Sequence, residues 1–198
     1  MSAEGSFVDI RCMKRFLVVV VALFTLTTTA SAQSYLAPRS VGALEAELGV
    51  GLATAATDIS AFGKMRQGVE VWAEARYNFG KTPVDLGVHF GLCSFSRVHR
   101  QGNFVSSHSF DSQTLMAVAG YNFFQGRIVS IYLGAGAGMA WNNINADGTK
   151  NGFNACVMPR IGVELANHLR ITAAYKFYEK ANNHLTISIG FVFGGGNR

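Results

Sequence analysis

From about residue 41 onward, apolar side chains fall on every second position, with polar or very small residues between them. In 68–79, Val69, Val71, Ala73, Ala75, Tyr77 and Phe79 share one phase, while Glu70, Trp72, Glu74, Arg76 and Asn78 share the other. In 184–194, Leu185, Ile187, Ile189, Phe191 and Phe193 oppose His184, Thr186, Ser188, Gly190 and Gly194. Segment 168–179 sets Leu169, Ile171, Ala173, Tyr175 and Phe177 against Arg170, Thr172 and Lys176. Segment 152–165 sets Val157, Pro159, Ile161 and Val163 against Arg160, Gly162 and Glu164. A period of two sends successive side chains to opposite faces of an extended strand. The pattern predicts eight strands, at 41–54, 68–79, 84–96, 111–124, 128–141, 152–165, 168–179 and 184–194. Each has the ~9–11 residues a tilted strand needs to cross a bilayer, or slightly more.

The links between these strands alternate in length. "AATDISAFGKMRQ", "VHRQGNFVSSHSF" and "NNINADGTKNG" are long; "GKTP", "QGR" and "ANH" are short, and only the final "KANN" breaks the series. An antiparallel meander linked this way has one end of tight turns and another of longer loops. Membrane barrels have that asymmetry, and a soluble sandwich has no reason for it. With an even number of strands, both termini lie at the short-turn end.

One apolar face per strand allows two solutions: a soluble barrel with that face inside, or a membrane barrel with that face on lipid and the charges inside. Three features favour lipid. In "IVSIYLGAGAGMAW", Gly134, Gly136 and Gly138 all fall on the mixed face, as the narrow lumen of an eight-stranded barrel requires. Tyr77, Phe79, Tyr121, Phe123, Phe191 and Phe193 recur at the short-turn ends, as an interfacial aromatic girdle would. Lys176 is the one lysine on the charged phase of the strands, whereas a water-facing sheet carries more. The fold class expected is therefore all-β: an eight-stranded antiparallel up-and-down transmembrane β-barrel. Val71, Ile131, Ile187 and Ile189 are expected to face lipid near the bilayer midplane.

The first 32 residues read differently. From Met13, "MKRFLVVVVALFTLTTTASAQ" joins a basic pair to an apolar run that stops at a threonine cluster, short of the ~20 residues of a spanning helix. Ala30-Ser31-Ala32 then offers a signal-peptidase site. Residues 1–32 are read as an N-terminal extension and secretory signal peptide starting at Met13 and cleaved after Ala32, and 33–198 as the barrel domain. Losing Glu4, Asp9, Arg11, Lys14 and Arg15 takes the formal charge from +5 to +4. So small an excess on an exported chain does not point to nucleic acid. With 49% hydrophobic and 15% charged residues, the chain is no disordered segment.

The leader, the eight alternating strands, the short turns at one end and a last strand "LTISIGFVFGGGNR" with Phe191 and Phe193 in phase resemble the small outer-membrane β-barrels of the OmpX and OmpA-barrel type. The resemblance covers 33–198. It implies an outer-membrane location, contact with outer-membrane lipid and lipopolysaccharide, and assembly by periplasmic chaperones and the barrel-assembly machinery. The family's final strand often ends in an aromatic residue, whereas this chain adds "GGGNR".

Candidate chemistry is sparse. His99, Arg100 and His108 are expected in an ordinary solvated loop, since two histidines nine apart match no metal-ligand spacing. "GAGAG" lacks the following helix that a phosphate loop needs. Cys93 and Cys156 fall on the inward phase of strands three apart, too distant for a disulfide. No histidine lies on the lipid phase, where a lipid-modifying enzyme would need one, so no catalysis, cofactor or metal is expected. The interior is expected to hold a charge network of Glu45, Glu47, Glu70, Glu74, Arg76, His89, Arg160 and Arg170. Arg160 is expected at its centre, bridging Glu74 and at least one of Glu45 and Glu47. The resulting role is that of a monomeric barrel with a packed lumen, structural or surface-binding. Two alternatives stand beside it: a narrow porin or hydrophobic-molecule conduit, and a soluble periplasmic lipocalin-like barrel.

Overall fold

The computed structural model describes residues 43–56, 67–79, 82–101, 104–125, 127–145, 150–179 and 183–194. The signal peptide and cleavage site expected in residues 1–32 lie outside the described residues.

Eight strands form one closed antiparallel barrel: β1 (Leu44–Ala55), β2 (Gln67–Asn78), β3 (Val84–Gln101), β4 (Phe104–Phe123), β5 (Val129–Asn145), β6 (Lys150–Leu165), β7 (Leu169–Tyr178) and β8 (His184–Phe193). Each strand pairs with its sequence neighbours, and β8 returns to β1, with Ala46 opposite Phe193 and Ala55 opposite His184. Every described strand alternates. In β8 the odd positions face out and the even positions are buried. Leu185, Ile187, Ile189, Phe191 and Phe193 are exposed on the barrel wall, as are Leu48, Val50, Leu52, Val69, Val71, Val88, Val157 and Ile161. The buried set holds Glu45, Glu47, Glu70, Glu74, Arg76, Asp85, His89, Arg160, Arg170 and Lys176. An apolar outside around an ionic inside inverts a soluble barrel. Only hydrocarbon solvent makes that arrangement stable, so the lipocalin-like alternative falls.

Two of the three long loops are partly strand. β3 and β4 continue to Gln101 and Phe104, so that His99 lies opposite Ser106, Arg97 opposite His108 and Arg100 opposite Val105. The loop expected around His99, Arg100 and His108 is thus a paired ladder. Likewise β5 and β6 pair as far as Ile144 and Lys150. In this barrel alternation marks a strand only where lipid lies on one side. Beyond the hydrocarbon layer water accepts polar groups on both faces, so the pattern fades while the backbone ladder continues.

The short turns are tight. Ala166 and Asn167 both have positive φ, 52° and 60°, and the His168 amide bonds to the Leu165 carbonyl at 3.1 Å. That is the left-handed two-residue hairpin whose twist matches its strands. Phe124, with φ 61°, opens the β4–β5 turn, where the Arg127 amide reaches its carbonyl at 3.1 Å.

Register corrects one depth assignment. Ile131 sits opposite Phe123, at the short-turn girdle, so the midplane of β5 falls near Ala135 and Ala137. At the same end Tyr77 and Phe79 meet edge-on at 5.2 Å, Tyr121 and Phe123 stack tilted at 4.8 Å, and Phe191 and Phe193 lie exposed on β8. At the other end Trp141 and Phe153 meet edge-on at 5.6 Å on paired positions. From Ile131 to Trp141 is ten steps of ~3.3 Å at a tilt near 40°, or about 25 Å along the membrane normal. That matches the ~25 Å apolar band of outer-membrane barrels.

The glycine phase of β5 has a steric cause. A Cβ on Gly138 would lie 2.1 Å from the Leu115 carbonyl oxygen and 2.6 Å from Met116 Cα, both backbone atoms of the neighbouring strand. Gly138→Val should therefore destabilise the barrel by about 1–3 kcal/mol or more through overpacking. Urea unfolding of the detergent-folded barrel, followed by tryptophan fluorescence, checks this; an unchanged midpoint would refute the close strand approach.

Candidate functional site

The inward residues form stacked layers across the lumen. Near the short-turn end, Arg170 on β7 donates Nε to Glu164 Oε2 at 3.0 Å, with its Nη2 on the same oxygen, and its Nη1 lies 3.5 Å from Glu47. Its guanidinium stacks over the Tyr132 ring at 4.3 Å, and the Tyr132 hydroxyl pairs with that of Thr172. On β3, Asp85 accepts a bond from Asn122 Nδ2 at 2.6 Å.

The middle layer centres on Arg76. Its guanidinium reaches Glu45 at 3.0 Å, Glu47 at 2.5 Å and Glu74 at 3.2 Å. Arg160, from the opposite wall, donates two bonds to the Glu74 carboxylate, at 2.5 and 3.0 Å. His89 Nδ1 lies 3.1 Å from the same carboxylate. The expectation for Arg160 therefore holds for Glu74 alone; Arg76 holds Glu45 and Glu47. The reason is register. Glu45 lies directly opposite Arg76 and Glu47 opposite Glu74 on the β1–β2 ladder, so the guanidinium meets both glutamates within its own sheet neighbourhood. Arg160 must cross the lumen, and both of its terminal nitrogens are taken by Glu74. Room for Glu47 comes from Gly190, where a Cβ would lie 2.2 Å from Glu47 Oε1 and 2.8 Å from the Trp72 ring.

Toward the longer loops, Lys176 on β7 binds Glu70 on β2, whose other oxygen accepts the Thr186 hydroxyl at 2.8 Å. Two apolar clusters share the lumen with these charged layers and with buried Ser112, Thr114, Asn142 and Asn154. Ala53, Cys93, Phe95 and Phe110 form one buried cluster, and Met116, Val118, Ala140, Cys156, Met158, Ala174 and Tyr178 another. Cys93 and Cys156 are free thiols.

Every charged lumen residue singled out from the sequence is buried in this stack. Lys176 and Glu164, which alternation put on the charged phase, were not assigned to the charge network, nor were Asp85 and Tyr132. All four carry the inward phase, which was the available signal; what it lacked was the stagger between strands that sets their heights. Pairs such as Arg160 with Glu74 and Lys176 with Glu70 join walls several strands apart, so the ion pairs cross the barrel as well as lining it.

A closed barrel with a lipid-facing wall, two aromatic belts about 25 Å apart and an ionic interior defines an integral outer-membrane β-barrel. The chain belongs to the outer membrane protein beta-barrel domain family, which it matches over residues 18–193. No curated protein matches it significantly. Among solved structures it is similar to Neisserial surface protein A (NspA), with 17% identity and a TM-score of 0.54, covering 78% of this chain and 98% of that one. It is also similar to Ail, the attachment invasion locus protein of Yersinia pestis, solved with the heparin analogue sucrose octasulfate (15% identity, TM-score 0.49, 76% and 99% covered). A third is the outer membrane protein OprG from Pseudomonas aeruginosa (9% identity, TM-score 0.48, 80% and 99% covered).

Proposed function

We propose that the protein is a plugged, monomeric outer-membrane barrel with a structural or surface-binding role rather than a conducting or catalytic one. The observation that carries this reading is the pair of bridges across the lumen, Arg160 to Glu74 and Lys176 to Glu70, at successive heights. An eight-stranded barrel has an interior just wide enough for side chains or one small ligand, and here side chains from opposing walls meet in it. A non-catalytic role is supported by the histidines: His89 and His184 are buried in the lumen and His168 lies in a turn, leaving no nucleophile–base pair on the lipid face among the described residues. The extended β3–β4 and β5–β6 hairpins are the surface offered to the outside, with lipopolysaccharide around the wall and chaperones and the barrel-assembly machinery acting on the unfolded chain.

Planar-bilayer recording tests the plug. The wild-type barrel is expected to insert without steady conductance. The double variant Arg160→Ala/Lys176→Ala, which removes both bridges, is expected to show small conducting steps. Steady wild-type conductance would overturn the plug in favour of a narrow channel.

A further inference from the structure

The upper lumen brings together three donors from three strands. Glu70 on β2, Cys93 on β3 and His184 on β8 are each buried, and one ligand atom from each lies within 4.8 Å of the others. Glu70 and Cys93 are directly opposed on the β2–β3 ladder. His184 reaches them past β1, whose inward residues at this height, Gly51 and Ala53, are too small to stand between. We propose that these three side chains form a binding site for a zinc-type divalent metal ion.

Thiolate, imidazole and carboxylate are the three donor types that zinc takes, while calcium and magnesium prefer oxygen alone. Two of the three donors are also held in place by neighbours. Glu70 is fixed by Lys176 and by the Thr186 hydroxyl at 2.8 Å. His184 sits between the rings of Phe95, 5.4 Å away, and Tyr178, 5.5 Å away. Such outer partners orient metal ligands.

An independent observation points to the same spot. His89 is 4% exposed, and its Nε2 has no hydrogen-bond partner; that atom lies 4.0 Å from Glu70 Oε1. Its Nδ1 meets the Glu74 carboxylate at 3.1 Å, the backing that metal-bound histidines commonly have. Gly91 keeps the gap open, since a Cβ there would stand 3.0 Å from Glu70 Oε1 and 3.1 Å from His89 Nε2. His89 thus borders the site on its Glu70 side, outside the set of three. Around a tetrahedral zinc, neighbouring donor atoms are ~3.5 Å apart, so loading needs the three donors to close by no more than about an ångström.

The Lys176 ammonium already sits on Glu70 as the resting cation. Metal entry displaces it from that carboxylate, and the Cys93 thiol releases its proton to become a ligand. The competition gives the site a signature that a chance cluster would lack.

Cobalt(II) is the probe, added while the chain refolds from denaturant into detergent micelles, with excess removed by desalting. Heat-modifiable mobility on a gel confirms that each variant is folded. The wild type is expected to retain one cobalt per barrel, with thiolate-to-cobalt absorption in the near ultraviolet. Cys156→Ser should keep that absorption and Cys93→Ser should lose it. Lys176→Gln should bind about tenfold more tightly, the equivalent of one charge-assisted contact removed from competition. Absence of the thiolate band from both the wild type and Lys176→Gln overturns the site, whether or not Cys93→Ser folds. A band that Cys156→Ser abolishes and Cys93→Ser retains overturns it equally.

Discussion

Arg76→Leu is expected to cost the barrel about 3–5 kcal/mol, the usual consequence of removing one partner from a buried ion pair. The side chain is fully buried and its guanidinium contacts Glu45, Glu47 and Glu74. Truncation leaves Glu45 without its cation, and Glu47 with Arg170 alone at 3.5 Å. Arg160 still holds Glu74, so Arg160→Leu removes fewer contacts and should cost less. The measurement is the temperature at which the compact folded band on a gel converts to the unfolded band. A drop for Arg76→Leu that exceeds the drop for Arg160→Leu supports Arg76 as the hub. The triple variant Arg76→Leu/Glu45→Gln/Glu47→Gln should recover part of the loss, because it removes the stranded charges too. Equal drops for the two single variants would return Arg160 to the central place.

Ile187→Arg is expected to cost about 2–4 kcal/mol, the price of an arginine at the bilayer midplane on a barrel's lipid face. Ile187 is 58% exposed on β8, two outward positions above Phe191 in the girdle. At ~3.3 Å per residue and a tilt near 40°, four residues place it about 10 Å inside the apolar band. Leu44→Arg provides the depth control. Leu44 is 71% exposed but pairs with Tyr77 at the girdle, where the same substitution should cost only about 0–1 kcal/mol. Folding yield into lipid vesicles and urea midpoints separate the two. Comparable losses at both positions would mean that the outer wall does not meet lipid in the way its alternation implies.

The wall of this barrel was legible in the sequence because lipid enforces it one residue at a time. Val69, Val71 and Ile187 had to be apolar wherever neighbouring strands fell, so a period of two located every strand and assigned both faces. The interior obeys a different constraint. Whether Arg76 or Arg160 gathers Glu45 and Glu47 depends on how far β1 slides along β2, and hydrophobicity does not encode that slide. The same holds for Glu70, Cys93 and His184: they come from three strands and have no local spacing to reveal them. The paired backbones at His99–Ser106 and Arg97–His108 were missed for the opposite reason. They lie where water tolerates any side chain, so a strand there leaves no mark in the pattern.

The pairing of β8 with β1 links the two ends of the fold, and its consequence is kinetic. Any arrangement with fewer than eight strands in place exposes two rows of bare amides and carbonyls, each costing several kcal/mol in hydrocarbon. The contact that removes both rows is the one most distant in sequence, a connection that forms slowly because the intervening chain must first be ordered. Half-built barrels therefore have no resting place in the bilayer. Penetration and closure advance together as one cooperative step, and residues 184–193, the last strand in the chain, are the latch that ends it.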